Sequence, residues 1–203
     1  LQHSFDVVRS HRQEKHPIRG ALIGQALLLR LRRIHIGLHG RDVRVDEHDL
    51  QCPATATAQF LARNFGAGLQ GADIAFVSDL PPASGMSSSS ALMVGTYLAL
   101  AEHNRLAERA IYRRHIGDPL ELAAYLGTIE NGQSFGELEG DRGVGTFGGS
   151  EDHTAILCSR TGHFGQFSYC PARFERYLSV PDGYVLALGF SGVVAEKTGA
   201  AQA

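Results

Sequence analysis

Residues 81–91 have the sequence PPASGMSSSSA, a loop of glycine and serine between two apolar segments. The preceding apolar run, residues 74–77, predicts a buried strand, and residues 91–100 predict a buried helix. The loop therefore lies where a strand leads into a helix. A helix N-terminus presents unpaired backbone N–H groups and the positive end of the helix dipole, and glycine lets a ligand approach the backbone closely. These features are typical of a phosphate-binding loop.

Two other interpretations of the serine-rich stretch stay open. It could be a flexible linker, or a helix cap without a ligand, because serine is favoured at N-caps in any case. A flexible linker does not usually lead straight into a buried apolar helix. The sequence therefore favours phosphate binding at residues 81–91 over both alternatives.

The composition of the 203-residue chain argues against several other classes of protein. Its hydrophobic fraction of 43% is enough for one large domain, and its net charge of −2 lacks the basic excess of a nucleic-acid-binding surface. Its three cysteines include no Cys-x-x-Cys pair, which favours a reduced, cytoplasmic protein. No apolar run reaches the roughly 18 residues of a membrane span, and no signal peptide is visible. We expect a single domain over residues 1–203, truncated at both ends.

Apolar periodicity and turn residues predict both strands and helices along the chain. Two short strands joined by a Gly-containing turn suggest an antiparallel pair, and Asp118-Pro119 is a good helix start. The predicted strands are residues 34–38, 43–45, 74–77, 164–169 and 184–190. The predicted helices are residues 55–64, 88–102 and 120–129.

The stretch 81–91 resembles the central motif of the GHMP kinases, a family that includes galactokinase, homoserine kinase and mevalonate kinase. That motif is Pro-x-x-x-Gly-Leu-x-Ser-Ser-x-Ala, here with Met86 in place of the leucine, and the triple-serine form is most similar to the galactokinase branch. The resemblance implies an α+β fold of the ribosomal protein S5 domain 2-like kind, with a mixed β-sheet backed by helices. It also implies that the loop binds the phosphates of ATP. The implied ATP-binding residues are Ser84, Gly85, Met86, Ser87, Ser88, Ser89 and Ser90.

Glu130 lies at the end of the predicted helix 120–129, where the helix dipole disfavours a carboxylate. It therefore needs either solvent or a cation, and a solvated surface glutamate is the alternative interpretation. In GHMP kinases, a glutamate on the helix after the serine loop binds Mg²⁺ together with a serine of that loop. Residues 129–131, Ile-Glu-Asn, resemble the tripeptide that carries this glutamate in the galactokinase branch. The resemblance implies that Ser89 and Glu130 bind Mg²⁺, which prefers such hard oxygen ligands.

Asp152 follows two glycines, which would allow a ligand to come close to the backbone. An aspartate that caps a short helix over residues 150–157 is an equally good interpretation of the residues alone. Residues 148–153, GGSEDH, resemble the galactokinase motif Cys-Gly-Ile-Met-Asp-Gln, with four positions changed. This resemblance implies that Asp152 is the catalytic carboxylate that orients and deprotonates a sugar hydroxyl. It further implies that Gly149 and Asp152 lie against the sugar.

The resemblance as a whole implies an ATP-dependent sugar kinase that uses ATP and Mg²⁺, with a small-molecule sugar as its partner. The galactokinase signature Gly-Glu-His-Thr-Asp-Tyr and the Gly-rich C-terminal motif of the family are absent from this sequence. A non-catalytic sugar and nucleotide sensor on the same fold is the main alternative, and a plain binding domain with a structural loop is another. The sequence identifies neither the sugar nor the oligomeric state.

Overall fold

The computed structural model describes residues 32–39, 42–46, 53–66, 68–76, 78, 80, 85–141, 149–169, 171–187 and 189. Within these ranges the chain forms helices and small antiparallel sheets, which is an α+β arrangement. Ser84, one of the predicted ATP-binding residues, lies outside the described residues, as does Val77 at the end of a predicted strand.

The first sheet has three strands in the order β2-β1-β3: β1 is Arg32–His39, β2 is Asp42–Asp46 and β3 is Ala72–Phe76. β1 pairs antiparallel with both neighbours, with Leu38 opposite Val43 and Ile34 opposite Ile74. The predicted antiparallel pair near the start of the chain is therefore confirmed. The resemblance implied a mixed sheet, but every pairing among the described strands is antiparallel.

The helices predicted from apolar periodicity are confirmed to within about one turn, and two further helices follow them or lie between them. The five are α1 Pro53–Phe65, α2 Ser88–His103, α3 Ala110–His115, α4 Pro119–Asn131 and α5 Glu151–Leu157. The Asp118 carboxylate caps α4 by accepting a hydrogen bond from the Glu121 N–H at 2.8 Å. α4 ends at Gly132, whose φ of 79° is in the left-handed region that favours glycine.

The core lies between α1, α2, α4 and the first sheet. Its largest fully buried side chains include two tyrosines, Tyr97 on α2 and Tyr125 on α4, whose rings meet edge to face at 6.1 Å. Ile36 and Ile74 contribute from neighbouring strands of the sheet. Burial of this apolar surface holds α2 and α4 in one core, and it fixes the neighbourhood of the serine loop that leads into α2.

A separate two-stranded sheet follows α5, in which β4, His163–Ser168, pairs antiparallel with β5, Arg173–Ser179. The Tyr177 hydroxyl ties this hairpin to the end of α5 by donating to the Cys158 carbonyl oxygen at 2.8 Å. The sequence predicted β4 but not β5. The predicted strand at 184–190 is wrong for residues 184–187 and 189, which are not strand. Val185 is 89% exposed, and this segment pairs with no strand in the described part of the chain.

Candidate active site

The loop before α2 contains two residues with left-handed backbone, Gly85 with a φ of 78° and Ser87 with a φ of 51°. A non-glycine residue in this region costs about 1–2 kcal/mol and tends to occur where function requires the local shape. Ser87 occupies the N-cap position of α2, but its side chain caps no N–H among the described residues. Ser88 and Ser89 in the first turn are exposed. The helix start thus keeps backbone and hydroxyl donors available to an anion.

The fourth serine of the run differs from its neighbours because it points inward. Ser90 is 1% exposed, and its hydroxyl donates to Glu130 Oε1 at 2.8 Å. Successive residues of a helix point about 100° apart, so Ser89 and Ser90 cannot both face the same carboxylate. The structure brings Ser90 to Glu130, while Ser89 is exposed. The role of Ser89 as a metal ligand stays a prediction.

Glu130 lies in the last turn of α4, and its side chain is only 13% exposed. This burial argues against a solvated surface glutamate. A carboxylate near a helix C-terminus is disfavoured by the dipole and needs donors or a cation nearby. The hydroxyl of Ser90 is one such donor.

Asp152 reaches the same hydroxyl from a third helix. It lies in the first turn of α5, and its Oδ2 is 3.4 Å from the Ser90 Oγ. Ser150, not Asp152, occupies the N-cap position of α5, so Asp152 is not the capping residue that one interpretation suggested. The side chain of Asp152 is exposed, and exposed Gly149 lies three residues before it. The site is therefore open to a ligand on the Asp152 side.

A glycine on α4 lets α5 come close enough for this contact. A Cβ atom at Gly127 would lie 3.1 Å from both the Cα and the Cβ of Ser150. That spacing is tighter than an ordinary van der Waals contact, so a side chain at this position would push the start of α5 outward. The absence of a side chain at Gly127 therefore helps to set the distance between Glu130 and Asp152.

His153 completes the cluster, although no sequence motif singled it out. Its side chain is fully buried, with Nε2 3.7 Å from Glu130 Oε1. Burial lowers the pKa of His153, and the carboxylates of Glu130, Asp152 and Glu151 oppose this shift only in part. Neither ring nitrogen has a hydrogen-bond partner among the described residues. The only sequence signal was that a histidine replaces the glutamine of the galactokinase motif.

Comparison with known families gives one match. Residues 53–149 match the GHMP kinases N terminal domain. The match covers just under half of the chain, from the start of α1 to the residue before Ser150. It includes Ser90 and Glu130, whereas Asp152 and His153 lie beyond its end. No curated protein and no solved structure matches the chain.

The matched family is one of kinases, and the match does not distinguish its galactokinase branch. The oxygen ligands of the site bear on whether Mg²⁺ could bind there. The described ranges contain no group of three or more His, Cys, Asp or Glu side chains that could by itself hold a metal ion. Mg²⁺ in nucleotide sites usually takes only one or two protein carboxylates and completes its shell with phosphates and water. The hard oxygens of Ser90 and Glu130 fit that requirement.

No helix in the described part of the chain could cross a membrane.

Proposed function

We propose that this chain is the N-terminal part of an ATP-dependent GHMP-type kinase that phosphorylates a hydroxyl group of a small molecule, with a sugar as the acceptor. The observation that carries the proposal is the Ser90 hydroxyl between two carboxylates, Glu130 at 2.8 Å and Asp152 at 3.4 Å. Three helices supply these groups directly behind a strained, exposed, serine-rich loop. The family match over α1 to α4 supports the same class of reaction.

The serine loop is the proposed site for the phosphates of ATP. Exposed backbone and side-chain donors at the start of α2 suit a polyanion, and the helix dipole adds a favourable partial charge. Among the described residues, no atom lies within 4 Å of a notional Cβ at Gly85, which leaves room for a phosphate beside the backbone. The proposed contacts are Ser84, Gly85, Met86, Ser87, Ser88 and Ser89, together with Ser90 at the inner end.

The proposed Mg²⁺ ligands are Glu130 and one serine hydroxyl, from Ser89 as the motif implies or from Ser90 as the geometry favours. When bound there, Mg²⁺ would neutralise charge on the transferring phosphate. The protein side needs only to hold the Glu130 side chain correctly oriented. The hydrogen bond from Ser90 does this on one of its carboxylate oxygens.

Asp152 is the proposed catalytic residue. Its exposed carboxylate can accept the hydrogen bond of the acceptor hydroxyl and then take its proton as the oxygen attacks the γ-phosphorus. The O–H bond breaks, a new P–O bond forms, and ADP leaves with the electron pair of the old P–O bond. A hydrogen bond from Ser90 to Oδ2 leaves Oδ1 available to the acceptor. Gly149 is the proposed neighbour of the acceptor on the loop side.

The test measures ADP release by the full-length protein, with ATP, Mg²⁺ and a panel of sugars and other small alcohols. We expect turnover with at least one acceptor, and a loss of about 10²–10⁴-fold in Asp152→Asn, because asparagine keeps the shape but cannot take the proton. Binding of a non-hydrolysable ATP analogue should change little. Glu151→Gln, which neutralises the adjacent exposed carboxylate on the same helix turn, is the matched control and should stay active.

Two results would contradict the proposal. Near-normal turnover in Asp152→Asn would remove the catalytic role of that residue. Nucleotide binding without ATP-dependent product from any acceptor would favour the non-catalytic sensor instead.

A further inference from the structure

His153 is a buried polar side chain whose hydrogen-bonding capacity the proposed reaction does not use. It is fully buried, and both ring nitrogens lack a hydrogen-bond partner among the described residues. Buried polar groups are nearly always paired, and those that are not call for an explanation. The nearest carboxylate oxygen is Glu130 Oε1, 3.7 Å from Nε2 and just beyond hydrogen-bonding distance. A shift of a few tenths of an ångström would make this contact a hydrogen bond.

The Ser90 hydroxyl offers a reason for that shift. A serine has one hydroxyl proton, so it can donate a well-aligned hydrogen bond to only one acceptor at a time. Here two carboxylate oxygens compete for it, Glu130 Oε1 at 2.8 Å and Asp152 Oδ2 at 3.4 Å. Rotation about the Cβ–Oγ bond toward Asp152 would withdraw the donor from Glu130 Oε1. His153 Nε2 faces the same oxygen.

We propose that His153 is a positioning residue for Glu130, whose Nε2–H donates to Glu130 Oε1 whenever the Ser90 hydroxyl turns to Asp152. The two donors then exchange at one carboxylate oxygen, so Glu130 keeps its orientation while Asp152 gains a hydrogen bond. The ring acts as a neutral donor, which leaves the charge of the Glu130 carboxylate intact. We assign this exchange the purpose of holding a metal-binding carboxylate during turnover, and that purpose rests on the proposed function. The exchange of donors does not depend on the proposed function.

The first test therefore uses no ligand. Long-range ¹H–¹⁵N NMR spectra report the tautomer and hydrogen bonding of histidine rings, and His153→Gln identifies which signals belong to this residue. In Ser90→Ala the competing donor is gone. We expect a ring protonated on Nε2, whose Nε2–H proton moves downfield relative to the wild type. Ser89→Ala removes an exposed hydroxyl one residue away from Ser90, and it should leave the chemical shifts of the His153 ring unchanged. Unchanged signals in Ser90→Ala, or a ring protonated only on Nδ1, would overturn the proposal.

The second test measures binding of Mn²⁺, as a spectroscopic substitute for Mg²⁺, in the presence of a non-hydrolysable ATP analogue. Loss of a hydrogen bond to a metal-binding carboxylate commonly weakens metal affinity by about 10-fold or more. We expect His153→Leu to show this loss, and His153→Gln, which keeps an N–H donor of similar reach, to bind Mn²⁺ within several-fold of the wild type. The thermal unfolding midpoint of His153→Leu should equal or exceed that of the wild type, because an apolar side chain replaces unpartnered nitrogens.

The outcomes separate the two proposals. A lower unfolding midpoint of His153→Leu with unchanged Mn²⁺ affinity would make His153 a packing residue and overturn the inference. If the wild type binds no Mn²⁺ with the nucleotide analogue, yet Ser90→Ala moves the His153 signal, the kinase proposal fails and the pairing of His153 with Glu130 stands.

Discussion

At the scale of single residues, Ser90 differs from the three serines before it because its hydroxyl points into the core. α2 begins at Ser88, which turns Ser90 toward the core and leaves Ser89 in solvent. Because Ser90 is buried against Glu130, its hydroxyl is part of both the fold and the candidate site. An exposed serine in the same turn, such as Ser89, can bind a ligand without contributing to the stability of the fold.

Comparison of Ser90→Ala with Ser89→Ala measures this difference. Ser90→Ala should lower the free energy of unfolding by about 1 kcal/mol, because a buried hydrogen bond is lost and His153 must shift to replace it at Glu130. Ser89→Ala should stay within about 0.5 kcal/mol of the wild type, as is usual for exposed sites. Chemical denaturation of both variants gives these values. The Mg²⁺ concentration for half-maximal rate should rise more in Ser90→Ala, and the reverse order would restore Ser89 as the metal-facing serine.

The sequence predicted part of this site and missed the rest for a physical reason. The resemblance to the GHMP kinase motifs singled out Glu130 and Asp152, and the structure brings both to one hydroxyl. A run of four serines has no hydrophobic pattern, so the sequence could not indicate which one points inward. His153 became noticeable only once its burial was known.

At the scale of elements, the site depends on the close approach of α5 to α4 at Gly127. In Gly127→Val, the added side chain would meet the backbone of Ser150, since even a Cβ would lie 3.1 Å from its Cα. We expect a stability loss of about 1–3 kcal/mol, typical of overpacking, and a fall in turnover as Asp152 moves away from Glu130. Nucleotide-analogue binding should persist. Ala155→Val, on the exposed side of α5, is the control for a larger side chain and should remain active.

The loop before α2 is tested by a second pair of variants with the same backbone strain. Gly85 and Gly68 both have a left-handed φ, 78° and 89°, and in the described part of the chain no atom lies within 4 Å of a notional Cβ at either position. Alanine at either position should therefore destabilise the fold by a similar amount, about 1 kcal/mol. Only Gly85→Ala should also weaken ATP binding, as calorimetry would measure. Equal ATP affinity in the two variants would place the phosphate site away from this loop.

Elements with a strong internal pattern were predictable, and those that depend on partners were not. The apolar run of α2, the periodicity of α4 and the Asp118-Pro119 start predicted helices with nearly the right bounds. β5 was missed because its charged residues hide an alternation that is stabilised across the hairpin, as in the pair of Phe167 and Phe174. Residues 184–187 have the composition of a strand, yet a strand forms only where another strand accepts its hydrogen bonds.

At the scale of the whole molecule, apolar burial is distributed unevenly. The helical core around Tyr97 and Tyr125 is closed to solvent, whereas β4 and β5 have exposed side chains on most positions. Large apolar residues of the hairpin, such as Phe174 and Leu178, are 47% and 45% exposed. Ser90, Glu130, Asp152 and His153 of the candidate site belong to helices α2, α4 and α5 rather than to the hairpin.

This distribution predicts two levels of local stability, which amide hydrogen exchange can measure. A two-stranded hairpin is only marginally stable by itself, and β4–β5 pairs with no third strand among the described residues. Its amides should therefore exchange through local opening, at a free-energy cost well below that of global unfolding. The amides of α4 should exchange only when the core opens, because Tyr125, Leu126 and Ile129 are fully buried. Peptides covering 163–179 should take up deuterium long before those covering 119–131. Equal protection of the two segments would mean that the exposed apolar face of the hairpin is covered in solution, and the hairpin would then unfold together with the core.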